Sequence, residues 1–129
     1  MINLYINARQ VGEVTVLDLK GRLRVGGNAI AFHKSIRSLI LEKRISILLN
    51  LTDVTFIDSC GLGELVASQV SVENKGGEIK LTGLTDSLRE LLVVTRLLTV
   101  FDAYDNEADA LENFTSSTSR ATKNQLAFA

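Results

Sequence analysis

The chain has no proline, one cysteine, Cys60, and one histidine, His33. A single cysteine cannot form a disulfide within the chain, and no apolar stretch approaches the roughly 20 residues of a membrane-spanning helix. The first ten residues, MINLYINARQ, lack the basic region and apolar block of a secretory signal. These absences predict a protein of a reducing compartment, by default the cytoplasm, that is not inserted in a membrane.

Charge is nearly balanced over the whole chain but unevenly placed. The net charge is −1, yet residues 1–45 carry eight Lys or Arg against three Asp or Glu, and residues 46–129 carry six against twelve. This asymmetry could orient a protein partner, or it could reflect ordinary solvated faces. Lys20, Arg22 and Arg24 alternate without interleaved aromatic residues, so direct nucleic-acid binding is not expected.

Residue types for catalysis and metal binding are scarce. One histidine and one cysteine without clustered carboxylates make no recognisable metal site, and no nucleotide-binding motif or other cofactor signature is present. Cys60 could act as a nucleophile with His33 as its base, and Asp58, Ser59 and His33 supply the residue types of a triad. His33 lies out of phase with the apolar face of its helix, and no G-x-S-x-G motif exists. We therefore predict that the chain is not an enzyme.

Length and hydrophobic pattern predict one α/β domain. With 129 residues, of which 46% are apolar, the chain can bury one core. Strands are expected at 4–8, 14–20, 45–51, 78–82 and 100–103, and helices are expected to begin near residues 28, 59, 85 and 106. The order β-β-α-β-α-β-α-β-α predicts a mixed, mostly parallel sheet of about five strands with four to five helices.

Local signals refine this assignment. Asn28 is expected to cap the first helix, and Thr85 or Asp86 the third. Residues 53–58 are expected to connect the central strand to the second helix. The last helix is expected to turn three side chains inward, those of Ala108, Leu111 and Phe114. The polar run TSSTSRAT divides the chain into a domain, 1–114, and a Ser/Thr-rich tail, 115–129.

The stretch FIDSCGLGEL, residues 56–65, places Ser59 at or beside the start of the second helix. A helix start presents unpaired N–H groups and the positive end of the helix dipole, and so tolerates a phosphate. Gly61 and Gly63 are expected to leave the surface beside the hydroxyl clear for another protein. On these grounds Ser59 is either a substrate serine or simply the helix cap, with Asp58 as the alternative cap.

The segment from Asp58 to Gly63, behind NLTDVTFI, resembles the phosphorylation segment of STAS-domain anti-sigma factor antagonists, a bacterial signalling family. The resemblance covers roughly residues 4–114 and includes the GRL turn at 21–23 and the GGEIKLTG stretch at 76–83. It implies the STAS fold. It also implies that an anti-sigma factor kinase phosphorylates Ser59 from ATP, that the unphosphorylated chain binds the anti-sigma factor and frees a sigma factor, and that a phosphatase resets it.

We expect the 21–28 turn and residues 53–66 to form the partner face, and the resemblance singles out the partner-binding residues within it. They are Arg22, Arg24, Asp58, Ser59, Cys60, Gly61, Leu62 and Gly63. Two of them depart from the family pattern, which usually has a small hydroxyl residue where this chain has Cys60 and an acidic residue where it has Arg24. The sequence leaves open whether either departure changes the choice of partner.

A non-switching role is the alternative within the resemblance. The chain would then be a scaffold subunit of a signalling complex or the soluble partner of a membrane transport system. Phosphorylation of Ser59 distinguishes the two roles, because only the switching antagonist depends on it. The sequence leaves open the sigma factor, the kinase, the signal, the role of the tail and whether the chain forms a homodimer.

Overall fold

Five strands form one sheet whose spatial order equals their order in the chain. This computed structural model describes residues 4–115. The strands are β1 (Leu4–Val11), β2 (Val14–Leu23), β3 (Ser46–Ile57), β4 (Glu78–Thr82) and β5 (Asp102–Tyr104). The helices are α1 (Gly27–Leu41), α2 (Ser59–Asn74), α3 (Asp86–Val94) and α4 (Glu107–Glu112). Strand β1 is antiparallel to β2 and all other pairs are parallel, which confirms the predicted element order and the mostly parallel sheet.

The sheet has a large core on one face and a smaller one on the other. Strand β3 is central, and Ile47, Leu48 and Leu49 are fully buried because both of its faces are covered. Side chains of α1, α2 and α3, such as Phe32, Leu65 and Leu92, contribute to the large core. The smaller core contains Val14, Val16, Leu48 and Ala110, with α4 as its cover.

Strand β3 is longer than the sequence indicates. Residues 53–58 were expected to be a connection, but the strand continues to Ile57 because its second half pairs with the end of β2. Two shifts of register in this pairing let the ends meet, with Leu23 opposite Ile57. Val54 is buried in the large core, so this extension is part of the packed sheet. The ends of β2 and β3 therefore lie side by side.

Two further expectations about helices are wrong. The N-cap of α1 is Gly26, with φ of 99°, and it makes no side-chain capping bond; Asn28 lies inside the helix and its Nδ2 donates to the carbonyl of Arg22 at 2.8 Å. In α4, Ala108 is exposed and Ala110 is the buried alanine, because the helix packs against β2 and β3 at Ala110 and its successor Leu111. Two other expectations are confirmed. Thr85, one of the two candidates, is the N-cap of α3, and α4 begins after residue 106.

Ion pairs hold α4 to the second face of the sheet and join the edge strand β5 to its neighbour β4. The Arg9 guanidinium binds Asp18 at 2.7 Å and also Glu107, which lowers the pKa of Asp18. The buried Lys80 ammonium lies 3.1 Å from Asp102 and over the rings of Tyr104 and Phe114.

Apart from Thr115, the predicted tail lies outside the described residues, and the domain boundary at 114 stays a prediction.

Three helices end in the same hydrogen-bonded turn, but with different residues in the left-handed position. In α2 that residue is Gly76, with φ of 81°, whereas α1 and α3 place Lys43 at 62° and Arg96 at 60° there. After α1, the N–H of Lys43 donates to Ile40 and that of the next residue to Leu39, as in a Schellman motif. The left-handed conformation costs a residue with a Cβ roughly 1 kcal/mol relative to glycine.

Exchanging residues between these turns should therefore change stability in opposite directions. We expect Lys43→Gly to raise the free energy of unfolding by about 1 kcal/mol and Gly76→Lys to lower it by about the same amount. Urea denaturation followed by circular dichroism measures both. A loss of stability in Lys43→Gly would contradict the assignment of strain to this turn.

Candidate functional site

The carboxylate of Asp58 joins the start of α2 to the turn that follows β2. Asp58 is the N-cap of α2, and its Oδ1 accepts a hydrogen bond from the N–H of Gly61 at 2.8 Å. Its Oδ2 accepts from the N–H of Val25 at 2.9 Å, and its own N–H donates to the carbonyl of Leu23 at 3.3 Å. Of the two capping residues considered from the sequence, the structure therefore selects Asp58.

Ser59 is consequently the first residue of the helix, and its side chain is not needed for capping. It is exposed, and its hydroxyl makes no hydrogen bond with any residue between 4 and 115. A hydroxyl in this position can be reached by another protein's active site. The first-turn N–H groups and the positive helix end lie beside it, where a negative charge is stabilised.

Asp58 remains ionised over the whole physiological range. Hydrogen bonds from the N–H groups of Val25 and Gly61 lower its pKa, and the N–H of Cys60 and the positive charge of Arg24 act in the same direction. The site thus carries a fixed negative charge next to Ser59 and a positive charge from the turn after β2.

The two glycines of the segment have different roles. A Cβ on Gly61 would overlap the carbonyl oxygen of Leu23 and lie 2.8 Å from its carbon, so only glycine lets α2 approach the end of β2 this closely. The expectation that Gly61 clears the surface is therefore wrong. Gly63 is exposed, and a Cβ there would meet nothing within 4 Å.

The structure places the other expected partner-binding residues at different depths. Arg22 and Cys60 are exposed, Arg24 is half-buried, and Leu62 is buried in the large core beneath the segment. The turn after β2 and the start of α2 thus lie next to each other at one end of the molecule. Leu62 and Gly61 support this end from inside.

Sequence reasoning did not single out the exposed apolar residues at this end, although both lie within the expected partner face, 21–28 and 53–66. Val25 is 68% exposed and Phe56 is 50% exposed, and Phe56 is the strand partner of Arg22. We call the exposed residues Arg22, Val25, Phe56, Ser59, Cys60 and Gly63 the Ser59 surface. No local pattern identifies Phe56, because a period of two places it on the same face of the strand as Val54, which is buried.

The catalytic alternatives gain no supporting geometry. Cys60 and His33 line the same shallow cleft, but the His33 Nδ1 lies 3.1 Å from the Glu64 carboxylate and makes no hydrogen bond to Cys60. Within residues 4–115, no three His, Cys, Asp or Glu side chains are grouped as a metal would need. No helix in that part of the chain is long and apolar enough to cross a membrane.

The sequence and the fold are similar to those of known STAS-domain proteins. The family model for the STAS domain matches residues 5–110. An anti-sigma F factor antagonist of Paenibacillus polymyxa is 34% identical over 110 residues, covering 85% of this chain and 94% of that protein. The crystal structure of TM1081 from Thermotoga maritima superposes with a TM-score of 0.76 at 28% identity, over 84% of this chain and 93% of that one. The phosphorylated form of SpoIIAA from Bacillus gives 0.66 at 20% identity, over 84% and 97%.

The contrast between the two glycines gives a matched pair of substitutions. We expect Gly61→Ala to lower the free energy of unfolding by about 1–3 kcal/mol, because the added methyl group overlaps the Leu23 carbonyl. Gly63→Ala should instead raise it by about 1 kcal/mol, because alanine favours the helix and meets no neighbour. Urea denaturation measures both; equal effects of the two changes would refute this assignment.

The bridge made by Asp58 should be visible in the pH dependence of stability. The folded-state pKa of Asp58 lies below the ordinary value of 3.8. The stability that the ionised carboxylate contributes is therefore present above pH 3.8 and is lost as the pH falls through the folded-state pKa. We expect Asp58→Asn to be less stable than the wild type at pH 7, and the difference to shrink below pH 3.8. Urea denaturation from pH 7 to pH 3 tests this; a difference that stays constant would show that the charge contributes nothing.

Proposed function

The chain belongs to the STAS domain family, and on that premise we propose that it is an anti-sigma factor antagonist switched by phosphorylation of Ser59. In this role it is the substrate and ligand of an anti-sigma factor kinase in the cytoplasm and has no catalytic activity of its own. The observation that carries the proposal is the exposed Ser59 hydroxyl, which has no hydrogen-bond partner within residues 4–115 because Asp58 caps the helix.

The unphosphorylated chain binds the anti-sigma factor through the Ser59 surface, and this releases the sigma factor. The surface combines apolar side chains, Val25 and Phe56, with the cation of Arg22. Exposed apolar residues next to a charged residue are typical of a protein contact, in which the apolar part is buried and the charge selects the partner.

Phosphorylation is a transfer between the kinase's ATP and Ser59. The Ser59 oxygen forms a bond to the γ-phosphorus, the bond between that phosphorus and the bridging oxygen breaks, and ADP leaves. The hydroxyl proton passes to a base on the kinase. A phosphatase reverses the state by transferring the phosphoryl group to water, which restores the hydroxyl.

The phosphate switches binding off through its charge. It adds a charge of about −1.5 to −2 beside the carboxylate of Asp58 and brings three strongly hydrated oxygens into the Ser59 surface. In the free chain the first-turn N–H groups of α2 stabilise that charge, whereas at a contact the charge must lose water and meet the partner's surface. The existence of a phosphorylated form of SpoIIAA supports the proposal, because a chain of this fold accommodates the modification.

Phosphorylation should depend on Ser59 alone. After incubation with ATP, magnesium and the anti-sigma kinases of the source genome, we expect one phosphate per chain, mapped to Ser59 by mass spectrometry and absent in Ser59→Ala. The control is Ser87→Ala, since Ser87 is also an exposed hydroxyl in the first turn of a helix, α3. We expect the phosphorylated chain to bind the kinase at least about tenfold more weakly, which corresponds to about 1.4 kcal/mol.

Two results would reject the switch. A phosphate that is still added to Ser59→Ala would show that another residue is the acceptor. A stable complex with another protein that forms equally with phosphorylated and unphosphorylated chain would favour the scaffold or transport-partner role.

A further inference from the structure

Arg24 is held next to Ser59 by the residues on both sides of it. The carbonyl of Leu23 accepts from the N–H of Asp58, and the N–H of Val25 donates to the Asp58 carboxylate. Gly61 packs directly on the Leu23 carbonyl. Because both chain neighbours of Arg24 are bonded to the residue that precedes Ser59, the Arg24 backbone has a fixed position at the start of α2.

The guanidinium of Arg24 has no bonded partner among residues 4–115. Within residues 4–115 it makes no hydrogen bond and no ion pair, although its charge helps to lower the pKa of Asp58. Asp58 already uses one oxygen for Val25 and the other for Gly61. The carboxylate whose pKa Arg24 helps to lower therefore has backbone donors for both oxygens, and the cation is available for a second anion.

We propose that Arg24 forms an ion pair with the phosphate on Ser59 and so stabilises the phosphorylated, non-binding state of this chain. The proposal rests on the phosphorylation of Ser59 proposed above and adds an intramolecular partner for the phosphate. An arginine offers two parallel N–H donors to a phosphate, and the dianion attracts it more strongly than a single carboxylate does. The pair also withdraws from the partner a cation that the unphosphorylated chain presents beside Arg22.

This ion pair has a direct consequence for the phosphate itself. A nearby cation favours the dianion over the monoanion, so the second pKa of phosphoserine, about 6 without a partner, should be lowered. Other charged groups face this region, and they belong to three elements. They are Asp58 at the helix start, Arg22 in β2, His33 and Lys34 in α1, and Glu64 in α2. The test therefore removes His33, so that the titration of the phosphate is followed without an imidazole nearby.

The experiment uses the full chain with phosphoserine inserted at position 59 during translation, in the His33→Gln background. Phosphorus-31 NMR follows the phosphate from pH 4 to pH 8 at low ionic strength. We expect Arg24→Gln to raise the second pKa by about half a unit, and Arg24→Lys to raise it less, because lysine keeps the charge but not the paired donors. The control is Arg37→Gln, which makes the same change of net charge at an exposed site on α1.

A second readout uses the rate of phosphate removal. We expect a nonspecific phosphatase to remove the phosphate several-fold faster from Arg24→Gln than from Arg37→Gln. Equal second pKa values in these two variants would overturn the proposal. Because the phosphoserine is installed without a kinase, the titration gives its answer whether or not a kinase acts on Ser59, and failure of the proposed function would appear only in the kinase experiment.

Discussion

The carboxylate of Asp58 is the interaction on which the end of the molecule around Ser59 depends. One oxygen completes the first turn of α2 through Gly61, and the other holds the turn after β2 through Val25. The close approach that this requires is possible only because residue 61 has no side chain. Since Asp58 does the capping, Ser59 keeps an exposed hydroxyl at the position where the helix best tolerates a negative charge.

This division of roles explains how a small covalent change can act without rebuilding the fold. The residues that hold the site together, Leu23, Gly61 and Leu62, are buried and belong to the sheet and its core. The residues that would meet a partner, such as Val25 and Phe56, lie on the outside. The proposed phosphate on Ser59 would change the charge of the outer layer, while the hydrogen bonds of Asp58 that anchor it need not break.

Most of the architecture could be predicted from the sequence because the strands and helices have clear hydrophobic periods and good turn residues. What could not be predicted depended on tertiary contacts. The extension of β3 to Ile57 follows from bulged pairing with β2, and the role of Gly61 follows from its approach to Leu23. Serine and aspartate both cap helices well, so the choice of Asp58 over Ser59 required the second acceptor role toward Val25, which no local pattern reveals.

The central claim is that phosphate at Ser59 changes the surface and leaves the framework intact. Backbone amide NMR spectra of the chain with serine and with phosphoserine at position 59 test this most directly. We predict that shift changes concentrate in residues 22–26 and 57–64, and that the amides of β4 and α3 stay in place. Widespread changes across the sheet, or loss of the Asp58-bonded amides of Val25 and Gly61, would show that phosphorylation works by refolding this end and would contradict the account.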